Sequence, residues 1–363
     1  MSPARKPEAM RITIFAVGDR DALDVSAVLG TELDRRGHNV ILVEPDTPTT
    51  DPSTLELFVN AAAGADLIVS ALHSQDEASC LAEAAGVPMV ALHLEPGPDE
   101  SAFSRAHGGG TRLPRPLARV LQNAELHAQW APDAPRINAF RARLGLSPTS
   151  RSATDRMRRA GYVEIQAYSR LLVPSLVAWD ERRPLVGFVT DAEAPLPTGA
   201  WVGGDEIFVD VALGHAVHDA VERVAARSGD RVVRGRADHV RLDGARMAVH
   251  AGTAATTAAV ARAGIPSLVL SQSRAQAFWG RSVRDRGVGD WLDLADLADE
   301  TLERAVRPLL SAGPRRRAAH LRTALLGETA VADSVQIIED AVSVPSSRHR
   351  RARDLRTGAA TTR

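Results

Sequence analysis

The stretch HAGTAATTAAVARAGIP occupies residues 250–266 and directly follows an apolar run at residues 247–249. The pattern predicts a strand over residues 245–250 and a helix over residues 256–264. Small residues, hydroxyls and a glycine at such a junction allow backbone amides to approach a phosphate closely. We therefore expect an anion-binding turn between this strand and this helix.

Apolar segments of strand length alternate with helical segments along most of the chain. Such alternation predicts an α/β fold with parallel, doubly wound sheets. The alternation stops in a segment rich in proline, glycine and acids and then restarts, which indicates two domains joined by a linker. The last strand of the first domain is predicted at residues 171–179. The predicted organisation is a disordered N-terminus (1–9), an N-terminal Rossmann-like domain (10–189), a linker (190–205), a C-terminal Rossmann-like domain (206–342) and a basic disordered tail (343–363).

The bulk composition narrows the class of protein. The chain has 363 residues, of which 44% are hydrophobic, and its 44 basic and 45 acidic residues give a net charge of −1. This balance is typical of soluble globular proteins and gives no reason to expect nucleic acid as a partner. No apolar run reaches the ~18 residues of a membrane helix, and residues 1–9 lack the apolar core of a signal peptide. We therefore expect a cytoplasmic protein without stable membrane insertion.

The sequence contains few residues that could form a disulfide bond or a metal site. The single cysteine, Cys80, excludes an internal disulfide and a cysteine-built zinc site. His215 and His218 are three residues apart on a predicted helix, a spacing that can hold a metal, but no third ligand lies nearby in the sequence. We therefore predict no metal site.

Several segments resemble the family-1 glycosyltransferases of the GT-B fold, especially the bacterial enzymes that glycosylate antibiotics and sterols. The segment over residues 249–289 aligns with the donor-binding signature of that family without a gap, and residues 10–40 are similar to its opening segment. The closest matches are RAGIP (262–266), QAFWGR (276–281) and RGVG (286–289). The resemblance spans residues 10–342 and implies two Rossmann-like domains that face each other across a cleft.

The resemblance also implies a reaction. Enzymes of this family transfer a sugar with inversion from a nucleoside diphosphate (NDP) sugar, bound mostly by the C-terminal domain, to an acceptor bound by the N-terminal domain. The NDP-sugar is a co-substrate, and neither a metal nor another cofactor is implied. Amides, a histidine and a helix N-terminus stabilise the departing diphosphate. The donor-side candidates in this chain are His250, Gly252, Thr253, Thr256, Gln276 and Gly214.

The chain departs from the family pattern at three positions implied to carry chemistry. Ala251 replaces the histidine that contacts phosphate, and Ala275 replaces the acid of an Asp-Gln pair that holds sugar hydroxyls. Successive strand side chains point to opposite faces, so His250 does not simply replace its neighbour. Two roles of His250 are compatible with the sequence. It either contacts the donor or is a buried, hydrogen-bonded histidine under the loop. The catalytic carboxylate of the family aligns with Ala22.

Two acids near Ala22 are candidate general bases. Asp21 and Asp24 lie in the loop predicted to follow the first strand, and Asp21 is the nearer substitute. The alternative role of such acids is to cap the next helix. Between residues 43 and 65 the chain also lacks several tens of residues that these enzymes usually spend on acceptor-lining loops. We expect a shorter or more open acceptor pocket.

Two functions follow from these observations. The first is a glycosyltransferase that acts on a small, natural-product-like acceptor. The second is a catalytically degenerate GT-B protein that serves another biosynthetic enzyme as a protein partner, since the loss of a positioned base typically lowers a rate by about 10²–10⁴. The close match of the donor segment favours the enzyme.

Overall fold

The structure is a computed structural model. It describes residues 9–18, 20–45, 49–96, 128, 130–173, 181–190, 206–237, 242 and 244–343. The predicted linker lies almost wholly outside these ranges, as do the tail after residue 343 and most of the predicted N-terminal disorder. Of the strand predicted at residues 171–179, the first two residues lie in a turn, and residues 174–179 are outside the described part.

Two parallel sheets, each five-stranded in the described part of the chain, form the framework. The strands are β1 (Arg11–Phe15), β2 (Asn39–Val43), β3 (Leu67–Ala71), β4 (Met89–His93), β5 (Val163–Gln166), β6 (Glu206–Asp210), β7 (Arg231–Gly235), β8 (Met247–His250), β9 (Ser267–Ser271) and β10 (Gly289–Asp293). The strand order is β2-β1-β3-β4-β5 in the first sheet and β7-β6-β8-β9-β10 in the second. The predicted α/β fold with two Rossmann-like units is confirmed.

Helices pack against the faces of both sheets. They are α1 (Arg20–Arg35), α2 (Pro52–Ala62), α3 (Gln75–Ala85), α4 (Ala134–Arg143), α5 (Ala153–Ala160), α6 (His215–Ser228), α7 (Ala254–Ala263), α8 (Arg274–Asp285), α9 (Asp299–Leu309), α10 (Ala312–Leu325) and α11 (Ala330–Ser343). Local chemistry sets their ends. The Ser273 hydroxyl caps α8 by accepting from the Gln276 N–H, and Gly264 ends α7 in the left-handed conformation, which glycine adopts without strain. None of the helices within the described ranges is long and apolar enough to cross a bilayer.

Both sheets are apolar on both faces. In the first sheet, Ile12 and Ile14 of β1 pack with Leu29 of α1, while Phe15 packs in a separate cluster with Phe58 of α2. Since helices cover both faces, the strands are near-continuous apolar runs, as parallel sheets require.

The last helix returns to the first sheet. Val335 and Ile338 of α11 are buried in the cluster that contains Ile12. Glu339 of α11 accepts from Arg36 (2.9 Å) and contacts the Nε2 atom of the buried His38 (3.0 Å). The sequence pattern assigned this helix to the C-terminal unit, residues 206–342. Its apolar face instead completes the core of the N-terminal sheet.

The topology places a crevice on each sheet. In both sheets the strand order reverses between the first and third strands, β1 and β3 in one and β6 and β8 in the other. Loops that leave such neighbouring strands diverge to opposite faces, so ligands bind in the crevice at their carboxyl ends. These two points are where functional side chains are expected.

Candidate active site

The crevice of the second sheet begins at Asp210, the last residue of β6. Its Oδ1 atom accepts from the Ala212 N–H (3.0 Å), and its Oδ2 atom lies 3.5 Å from the Thr256 hydroxyl. Asp210 therefore links the β6 loop to α7. Asp210 was not among the residues predicted from the sequence, although an acid at the end of an otherwise apolar strand was a usable signal.

The predicted anion-binding turn lies between β8 and α7. Thr253 is the N-cap of α7, and its Oγ1 atom accepts from the Thr256 N–H (3.2 Å). The two hydroxyls are 3.1 Å apart. The structure thus brings both predicted threonines together at a helix N-terminus, where backbone N–H groups and the helix dipole favour an anion.

Gly252 is required by the shape of this turn. Its φ is +80°, and a Cβ atom there would lie 2.5 Å from Val269 Cγ1 and 3.0 Å from the Gln276 carbonyl oxygen. Its N–H donates to His250 Nδ1 at 3.1 Å. Conformation and packing both demand glycine here.

His250 is fully buried at the end of β8. Because Nδ1 accepts the Gly252 N–H, the ring proton of the neutral form is on Nε2, which has no hydrogen-bond partner among the described residues. Burial lowers the pKa of His250 to about 3. The imidazole is therefore neutral near pH 7, and its placement is that of a hydrogen-bonded histidine under the loop.

The first half of the chain reaches the turn through Asp21. Its Oδ2 atom accepts from the Ala255 N–H at 2.9 Å, within the first turn of α7. Asp21 therefore caps a helix other than its own, 234 residues away. Asp24 differs, because it is exposed and paired with Arg20 at 3.0 Å on the surface of α1.

The remaining donor-side candidates border the same crevice. The Gln276 Oε1 atom accepts from the Gln272 N–H (2.7 Å) and so closes the loop before α8. Gly214 is the N-cap of α6, with open space where a Cβ would stand. The buried His218 contacts the Asp210 carbonyl oxygen at 3.0 Å, and the described residues contain no metal-binding group of three or more ligands.

The crevice of the first sheet is lined differently. A Cβ atom on Gly18 would lie 3.1 Å from both Ala22 Cβ and His73 Cδ2. Ala22 is buried, whereas His73 is exposed in the turn that follows β3. His73 was not among the residues predicted from the sequence, because its distance in sequence from residue 22 hides the proximity of the two residues.

Sequence comparison finds full-length relatives. No protein-family profile matches the chain. An uncharacterized glycosyltransferase of Mycobacterium tuberculosis is 27% identical over 415 aligned positions, which cover 92% of this chain and 99% of the relative. The alignment is longer than the 363 residues of the chain, so the relative has several tens of residues that this chain lacks.

Structure comparison identifies the fold. The glycosyltransferase of kitacinnamycin superposes with a TM-score of 0.66 at 19% identity and covers 92% of this chain and 99% of its own. Glycosyltransferase VinC in complex with dTDP superposes with a TM-score of 0.60 at 14% identity and covers 92% of this chain and 100% of its own. The chain therefore has the GT-B fold and is similar along nearly its whole length to bacterial glycosyltransferases.

Proposed function

We propose that the protein is a glycosyltransferase that moves a sugar, with inversion, from an NDP-sugar to a small natural-product-like acceptor. The hydrogen bond from the Ala255 N–H to the Asp21 carboxylate carries the proposal. In this protein the N-terminus of α7 already holds an anionic oxygen, as it would hold a diphosphate. The likeness to VinC, solved in complex with dTDP, supports a nucleotide as the ligand.

The diphosphate of the donor would bind where the Asp21 carboxylate lies. Amides in the first turn of α7 would donate to phosphate oxygens, and the hydroxyls of Thr253 and Thr256, 3.1 Å apart, stand beside them. Donors fixed in advance stabilise the charge that grows on the leaving diphosphate without reorganising. The open space over Gly214 leaves room for the nucleotide on the β6 side.

The acceptor would bind at the carboxyl end of the first sheet, across from α7. Asp21 bridges these two regions, so the two crevices are within one side chain of each other. The lack of several tens of residues relative to the mycobacterial protein is consistent with a shortened, open acceptor site.

Nucleotide titration tests the donor half of the proposal. We expect dTDP, UDP or a corresponding NDP-sugar to stabilise the protein against thermal unfolding. The free energy of unfolding should rise by about 2.7 kcal/mol at a ligand concentration of 100 times the dissociation constant. Thr256→Val should weaken this response, since it removes a hydroxyl at the α7 N-terminus. Thr323→Val, on the exposed face of α10, is the matched control. A protein that responds to no nucleotide at any concentration would contradict the proposal.

A second candidate function is that of a degenerate GT-B protein that assists another biosynthetic enzyme as its partner. It is favoured by two observations. Ala22 stands where the family has its catalytic carboxylate, and the Asp21 carboxylate accepts a hydrogen bond from Ala255, beside the anion-binding turn. This function predicts that neither the wild type nor Asp21→Ala binds any nucleotide. Nucleotide binding that strengthens in Asp21→Ala would instead favour the enzyme.

A further inference from the structure

The first crevice contains an exposed histidine held in a defined place. His73 lies in the 3₁₀ turn Leu72–Ser74, directly after β3. The buried Ser74 hydroxyl bonds to the Phe15 carbonyl oxygen of β1 (3.1 Å) and to the Ser70 hydroxyl (2.9 Å). These bonds tie the turn to the carboxyl end of β1, so His73 is positioned at the point where the strand order of the first sheet reverses.

The imidazole lies over the segment that joins β1 to α1. The absence of a side chain at Gly18 admits the ring, because a Cβ there would be only 3.1 Å from His73 Cδ2. The same Cβ would be 3.1 Å from Ala22 Cβ, so Gly18, His73 and Ala22 pack closely together. Ala22 offers only a methyl group to this contact.

The acids in the first two turns of α1 are engaged elsewhere. The Asp21 carboxylate accepts the Ala255 N–H, and Asp24 pairs with Arg20 on the exposed face of α1. A carboxylate at a helix N-terminus is stabilised in its charged form and directed toward the donor side. His73 is exposed and lies beside Gly18 and Ala22 at the carboxyl end of the first sheet.

We propose that His73 is the general base of the sugar transfer, an assignment that rests on the proposed function. A ring nitrogen of the neutral imidazole accepts the proton of an acceptor hydroxyl while the oxygen forms a bond to the anomeric carbon. The bond from that carbon to the diphosphate oxygen breaks, and its electron pair leaves with the nucleoside diphosphate. The imidazolium then returns the proton to solvent.

The test compares His73→Ala with the wild type in sugar transfer from dTDP-glucose or UDP-glucose. Two acceptors are used, an acidic phenol (4-methylumbelliferone) and an aliphatic alcohol (2-phenylethanol). We expect kcat for the alcohol to fall by about 10²–10⁴, with a smaller fall for the phenol, which loses its proton more readily. KM for the donor and nucleotide binding should stay unchanged, and added imidazole should restore part of the rate.

His320→Ala is the matched control, because His320 is also exposed but lies on α10. An active wild type whose rates are unaltered in His73→Ala, or reduced equally for both acceptors without imidazole rescue, would overturn this inference alone. A wild type that binds no nucleotide and transfers no sugar would overturn the proposed function and this inference with it. If His73→Ala unfolds at the same temperature as the wild type, loss of the fold does not explain a fall in its kcat.

Discussion

Each sheet has a histidine near the carboxyl end of its third strand, and the two side chains have opposite surroundings. His250 is the last residue of β8, is fully buried and binds its own turn through Nδ1. His73 lies two residues beyond the end of β3 and is exposed. His250, within its strand, has no exposed surface, whereas His73, just past its strand, reaches the crevice. Proximity to a motif is therefore a weaker guide to function than position relative to the strand end.

The two crevices differ in the same way. In the second, polar groups such as Asp210, Thr253 and Thr256 contact one another and the first turn of α7. In the first, Gly18 and Ala22 pack closely beside the exposed His73 and offer no polar side chain of their own. We infer that the second crevice is suited to an anion, whereas the first presents an imidazole beside apolar groups. The predictions below test this contrast.

The largest effect is expected from Gly252→Ala. The left-handed φ costs an L-residue roughly 1–2 kcal/mol, and the clash with Val269 at 2.5 Å adds overpacking of roughly 1–3 kcal/mol. Gly229→Ala is the control, since Gly229 has a φ of +74° but open space around its Cβ position. Urea unfolding should show a clearly larger loss for Gly252→Ala. Equal losses would mean that the turn at the end of β8 relaxes easily.

The next effect is an acid sensitivity caused by His250. Its pKa in the folded protein is about 3 because of burial, below its ordinary value of 6.5. Between these values the unfolded chain binds a proton that the folded chain does not, so stability is complete above about pH 6.5 and falls as the pH is lowered. The slope is at most about 1.4 kcal/mol per pH unit.

His250→Asn tests this sensitivity, because its side-chain oxygen can still accept the Gly252 N–H. Denaturant unfolding at pH 5 and pH 7.5 should show a smaller loss of stability for the variant than for the wild type, by about 2 kcal/mol. Other groups titrate in both proteins, so the difference between the two curves reports His250. An equal loss of stability in the wild type and in His250→Asn would show that burial does not oppose protonation of the His250 imidazole.

The smallest effect concerns Asp21. Asp21→Ala frees the Ala255 N–H and removes a negative charge, so the affinity for dTDP should rise about two- to fivefold, the equivalent of ~0.3–1 kcal/mol. Asp24→Asn is the control, since its exposed ion pair with Arg20 contributes little. Calorimetric titration with dTDP measures the affinities of both variants. Weaker binding in Asp21→Ala would show that this carboxylate assists the donor, and a fall in kcat with binding intact would support the earlier hypothesis that Asp21 is the base.

Much of the framework was predictable from the sequence. Strand β8 and helix α7 lie within a few residues of their predicted positions, because their apolar periodicity is a local property. The edge strand β5 was not predicted. It has only four residues, and the more apolar segment that follows it in sequence was preferred as the strand.

The candidate site was only partly predictable. Thr253, Thr256 and Gly252 were identified because they are close in sequence to a recognisable strand-to-helix junction. Asp210 and His73 were not identified. An acid at the end of an apolar strand was a usable local signal for Asp210, whereas nothing local marks His73 as facing a crevice.

The sequence alone therefore determined two α/β units, a glycine-dependent turn before α7 and the resemblance to GT-B glycosyltransferases. Only the tertiary structure decided that α11 belongs to the first sheet's core, that Asp21 caps α7 and that His73 adjoins Ala22. The physical reason is that periodicity and capping act between near neighbours in the chain. These other relations depend on strand order and packing, which bring distant residues together.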